Sequence, residues 1–195
     1  MKNLVLPLLI LASTAGFAQD FSSLRVKLEY FVDQSIEARE AVMPTANQFG
    51  FESYQMDSLN QLISFRDSLH LQYVTLVLEE HGWLGISQIG KKANISLFLA
   101  IQHSNKDQIR DRYYPLLEVS AQNGESGLAQ MATMKDRILV QKKLPQRYGT
   151  QWNYIGDQAV LFPLEDVNSV NENRVKVGLK PLTDEELQTV QSKYQ

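Results

Sequence analysis

The chain has 195 residues, 44% of them hydrophobic, a formal net charge of −3 at pH 7 and no cysteine. A chain of this length buries a sizeable core without staples, and a single domain is the expectation. Lack of cysteine excludes disulfides, thiolate metal sites and cysteine nucleophiles, and a mildly acidic chain without a dense Lys/Arg patch argues against nucleic acid as a partner.

Residues 1–18 read as an export signal. Lys2 supplies the positive start, Leu4 to Leu11 the apolar run, and Gly16 and Ala18 the small residues before a cut that leaves Gln19 first. The apolar run is shorter than the roughly 20 residues a bilayer span needs, and Pro7 interrupts it. The expectation is a periplasmic or secreted protein of residues 19–195, with no transmembrane anchor after cleavage.

Beyond the signal, helical periodicity dominates. Ser22 or Ser23 is expected to cap a first helix with Leu24, Leu28, Phe31, Ser35, Ala38 and Val42 along one face, ending at Met43-Pro44. A long second helix is predicted from about Met56 to Glu80, stopped at His81-Gly82 by a left-handed glycine cap. Trp83 to Gly90 reads as a linker. The third helix, roughly Lys92 to Asn105, is apolar around much of its circumference, which marks it as central. A fourth spans about Lys106 to Gln122 with Pro115 as an internal flaw, and a fifth about Ser126 to Lys142. Arg147 to Ile155 and Gln158 to Phe162 read as two strands around Gly156-Asp157, a hairpin that must lie on the helices to be stable. A short helix follows, about Ser169 to Val177, and Thr183 with Glu186 forms a capping box for the last one. The predicted fold is mainly α (α+β): a compact helical domain of five to seven helices with one C-terminal β-hairpin near 146–163.

Candidate chemistry is sparse. His103, at the end of the apolar third helix, is the histidine best placed to act as a general acid or base. His70 lies three residues after Asp67, so the two share a helix face, but the His-Glu-x-x-His spacing of a metal helix is missing, and no metal or cofactor is expected. If 147–152 is a strand, Arg147, Gly149 and Gln151 share one side, an arginine and a glutamine flanking a glycine that lets a ligand approach the backbone. Tyr148, Thr150 and Trp152 then face the core.

The chain resembles the bacterial domain-of-unknown-function family DUF6624. The likeness runs through Asp33-Gln34, Asp67, His81-Gly82-Trp83-Leu84-Gly85, Gln102-His103, Asp136-Arg137, Gln146 to Gln151, Pro163 to Asp166, and Arg174 with Gly178 to Leu182. It departs at His70, where the family pattern has asparagine, and at Leu84, where it has proline. The resemblance implies a shared site near His103, Asp136, Arg137, Arg147 and Gln151 and carries no activity with it.

Three readings follow. The favoured one is an exported domain that binds a small polar or anionic ligand, or a peptide, through Gln102, Arg137, Arg147 and Gln151. The second is a hydrolase in which His103 is general base or acid, Asp136 orients it and Arg147 holds developing negative charge. The third is a structural or interaction module whose polar residues hold the hairpin down. The first two require the hairpin to bring Arg147 to the end of the third helix.

Overall fold

A computed structural model describes residues 19–155 and 158–190. The expected export signal, residues 1–18, and the expected turn at 156–157 lie outside the described residues. In chain order the elements are α1 (Ser22–Glu40), α2 (Val42–Phe49), α3 (Tyr54–His81), α4 (Ile86–Gln102), α5 (Asp107–Gln122), α6 (Leu128–Gln141), β1 (Trp152–Ile155), β2 (Gln158–Leu161), α7 (Val170–Lys176) and α8 (Asp184–Gln188). The protein is therefore mainly helical with one antiparallel hairpin. No helix among the described residues is long and apolar enough to cross a membrane.

The apolar circumference of α4 makes it the centre. It touches α1, α3, α5 and α6, and Ile89, Ala93, Leu97 and Ile101 are sealed completely from solvent. Leu28 of α1, Val74 of α3, Leu117 of α5 and Met134 of α6 close around it in one cluster. Full burial of each such side chain stabilises the fold by about 1.5–3 kcal/mol relative to exposure.

Two helix starts differ from the expectation. Phe21 occupies the cap position of α1, and the Asp20 carboxylate, not a serine hydroxyl, accepts the free Ser22 amide at 2.9 Å. Pro44 does not end the helical segment. It falls in the first turn of α2, where the proline nitrogen would have no intrahelical acceptor, so its missing N–H costs nothing. α3 begins at Ser53, whose hydroxyl accepts from the Met56 amide at 3.2 Å, and stops at Gly82 with φ +70°. The expected linker before α4 is partly helical. It carries one helical turn ahead of a break at Gly90, where φ is +78°, a backbone state costly for any residue with a Cβ. Trp83 packs over this joint and donates to Ser126 Oγ at 3.0 Å.

The hairpin pairs Trp152 with Leu161 and Ile155 with Gln158. It is shorter than expected. Its apolar side packs on the last two helices, with Leu161, Val170 and Leu182 forming a small second core and Trp152, Leu164 and Leu187 around it. The capping box is present: Glu186 N donates to Thr183 Oγ1 at 3.1 Å and Thr183 N to Glu186 Oε2 at 2.7 Å.

Candidate functional site

The segment expected to be the first half of β1 is a loop, and it does not present a floor. Residues 147–151 wrap around Asp136, which α6 projects into them fully buried. The Asp136 carboxylate accepts the amides of Arg147 (2.8 Å), Tyr148 (3.1 Å) and Thr150 (3.0 Å) and the Thr150 hydroxyl (2.9 Å). Burial pushes the Asp136 carboxyl above its usual range, against the pull of those donors. From the other side, Arg174 of α7 donates to the carbonyls of Tyr148 (2.8 Å) and Gly149 (2.9 Å). Gly149 has φ +63°, and a Cβ there would lie 2.9 Å from Leu182 Cδ1. The glycine therefore serves the packing of the loop on α8's approach, not the approach of a ligand.

Glutamines complete this knot. Gln146 is fully buried; its amide nitrogen donates to the carbonyls of Gln151 and Phe162, and its oxygen accepts from Gln151 N at 2.9 Å. The Gln151 side chain is buried as well and donates to Thr150 Oγ1 at 2.9 Å. Arg147 points the other way and is exposed, with its guanidinium carbon 6.0 Å from the Tyr148 ring centre. Arg147 and Gln151 thus do not share a binding face, because alternation holds only in a strand and this stretch is not one.

His103 stands elsewhere. It caps the C-terminus of α4, and the charges that act on it are Arg39, Asp67 and Arg137. Asp136 and Arg147 are not among them, so the structure does not assemble the His103–Asp136–Arg147 trio. It does bring together residues that are far apart in sequence: Arg39 Nη2 of α1 pairs with Asp67 Oδ2 of α3 at 2.7 Å. Beneath them, buried His70 meets Ser96 Oγ at 2.7 Å and stacks on Phe31 with ring centres 4.8 Å apart. Burial first, then Arg39 and Arg137, push the His103 imidazole down to about 4 against the opposing pull of Asp67. His70 is likewise held at about 4, mainly by burial. Both rings are neutral at pH 7.

His103 and Asp67 border a cavity of about 590 Å³ between α3 and the α4–α5 junction. Asn60, Ser64 and Gln72 line its α3 wall, and Asn105 and Lys106 its far rim. Ser104 also lines it, its hydroxyl accepting from the Lys106 amide at 3.1 Å and donating to the Lys106 carbonyl at 3.4 Å. His103 Nδ1 is buried without a hydrogen-bond partner. The Oε1 of neighbouring Gln102 is also buried and unpartnered, and its carbonyl is taken by Arg110. Arg137 is exposed on α6 and has no carboxylate partner among the described residues. No group of three His, Asp or Glu side chains among the described residues is arranged to hold a metal ion.

Sequence reasoning missed Arg39 and the polar α3 wall. The signal was available as Asn60, Ser64, Ser68, Gln72 and Thr75 at steps of three and four, with Asp67 beside Ser68, the flank of one helix. A polar flank on a long helix has the same pattern as a solvent face, and only the α4–α5 junction turns it into a wall.

The model of the family DUF6624, described as a family of unknown function, matches residues 29–194. No curated protein and no solved structure matches the chain.

Proposed function

The chain belongs to the DUF6624 family, and from that premise we propose that it binds a small polar molecule, neutral or anionic, in the cavity between α3 and the α4–α5 junction. One observation carries this reading: a cavity of about 590 Å³, large enough for a metabolite, on whose wall Asn60, Ser64, Asp67, Gln72 and His103 stand together. Around it stand side chains with unused hydrogen-bonding capacity. Asp67 keeps Oδ1 free while Oδ2 holds Arg39, and Asn60, Ser64, Gln72 and Asn105 offer amides and a hydroxyl. Lys106 is the positive group on this wall. Such a lining suits hydroxyl, amide or carboxylate groups and gives little purchase to an apolar ligand.

The hydrolase reading draws less from the same geometry. An imidazole held near 4 is a weak base at neutral pH, Ser104 is engaged, and Asp136 is spent on backbone amides. The Asp136–Gln146–Gln151 knot favours a structural role for the late polar residues. Export of the chain remains part of the proposal and rests on residues 1–18.

The test is a panel of monosaccharides, amino acids and short hydroxy acids titrated at millimolar concentration against the ¹⁵N-labelled protein. A binder is expected to move the His103 ring nitrogens and the amides of Ser64, Asp67 and Gln72 saturably, and S64W, which fills the cavity from an exposed wall position, is expected to abolish the response. Saturable shifts confined to another part of the molecule, or an undiminished response in S64W, would remove the reading.

A further inference from the structure

α3 borders a second cavity on its opposite flank. Residues 60, 64 and 71 face the polar cavity, 62, 65, 66 and 69 face α1, and 67 borders both, as the 3.6-residue turn allows. The second cavity measures about 190 Å³. Its apolar walls are Tyr30, Phe31, Leu62, Phe65 and Leu69, all but Phe31 large groups left exposed, and Gln34, Ser35, Arg66 and Asp67 complete the lining. Its floor is His70. The imidazole is fixed there: Nε2 is committed to Ser96 Oγ at 2.7 Å, and the ring face lies nearly parallel to Phe31, 7° off. Nδ1 has no hydrogen-bond partner among the described residues.

We propose that this slot is a binding site for a single aromatic ring bearing one hydrogen-bonding group, of the phenol class. Volume decides the size of the occupant. A cavity of about 150 Å³ accepts benzene, so a slot of about 190 Å³ takes one ring with a small substituent. The walls decide its character: Phe31, Tyr30 and Phe65 offer edges and faces to a flat π system. His70 decides the substituent. With Nε2 held by Ser96, the free Nδ1 is acceptor or donor according to tautomer, and a phenolic hydroxyl answers either. The ring nitrogen is neutral at pH 7, so the partner need carry no charge. The site lies on the opposite flank of α3 from the polar cavity, and Asp67, held by Arg39, borders both.

The experiment titrates phenol and, separately, benzene into the ¹⁵N-labelled protein and follows the His70 and His103 ring nitrogens with the backbone amides. Phenol is expected to shift His70 and the amides of Tyr30, Phe31 and Phe65 while His103 stays in place, and to bind roughly 3- to 10-fold more tightly than benzene, the value of one added hydrogen bond. F65A alters an exposed wall and leaves the core intact; it is expected to weaken both rings about 5-fold or more. H70F keeps the stack on Phe31 and is expected to bring phenol down to the benzene value. Saturation that maps away from α1 and α3, equal affinity for the two rings in the parent protein, or F65A binding both as before overturns the proposal, and F65A and the parent comparison read out even if H70F fails to fold.

Discussion

His70 and His103 show how a titratable residue on an otherwise ordinary helix acquires a consequence from its surroundings. Both sit near 4 in the folded protein, whereas an unfolded histidine titrates near 6.5. Between those values the unfolded chain binds more protons, so folding stability rises with pH across that window. The stabilisation is complete above about 6.5 and is lost as pH falls toward 4. At pH 5 the loss is on the order of 1–2 kcal/mol for each ring, before most carboxylates begin to protonate. Urea unfolding at pH 7 and pH 5 is expected to show this drop, and the H70N/H103N double variant to flatten it. An equal midpoint at both pH values would mean that neither ring is desolvated as described.

At the scale of elements, the 146–151 loop is the instructive case. The stretch has strand-like composition, with Tyr148, Thr150 and Trp152 at alternate positions, yet only Trp152–Ile155 forms a strand, and Gln146 makes an isolated parallel bridge with Leu164. A carboxylate from α6 supplies the acceptor that a neighbouring strand would have supplied, collecting three loop amides. The backbone therefore curls around one side chain instead of extending. D136N replaces one acceptor oxygen by an NH₂ facing donors and removes the charge that strengthens the bonds. It is expected to cost about 2–4 kcal/mol in chemical denaturation. Substitution of exposed Arg147 by Ala is the control and is expected to stay within about 0.5 kcal/mol. If D136N were as mild as that control, Asp136 would not be what holds the loop.

For the whole molecule, the arrangement separates two tasks. The helical body built on α4 holds both cavities on the flanks of α3, while the late hairpin, α7 and α8 make their own small core. The late segment is tied to the body through Asp136 and through Val177, Tyr148 and Leu179, which join the main cluster. Arg174 strengthens this tie by holding the loop carbonyls, a role its sequence position three residues before Val177 does not announce. The proposed export signal adds a prediction at this scale: a chain produced with residues 1–18 in a secreting bacterium is expected outside the cytoplasm with Gln19 at its N-terminus by terminal sequencing, and A18R, which blocks small-residue recognition at the cut, to leave the leader attached. An intact Met1 on protein recovered outside the cytoplasm would contradict cleavage.

The helices were readable in the chain itself because their determinants are local: the apolar repeat of α4, Gly82 at the end of α3 and the Thr183–Glu186 box act over a few residues. The hairpin's position and the family resemblance were legible for the same reason, each residing in short contiguous strings. Which polar side chains meet was not local. Arg39 and Asp67 are brought together by the packing of α1 on α3, and His103 joins them because α4 ends there, while Gln151 is drawn inward by Gln146. Periodicity states which face of a helix is apolar, but a polar flank looks the same in sequence whether water or another helix end lies opposite. Tertiary packing alone decided that the α3 flanks became walls of cavities and that the Gln-Arg-Tyr-Gly-Thr-Gln string became a fastening.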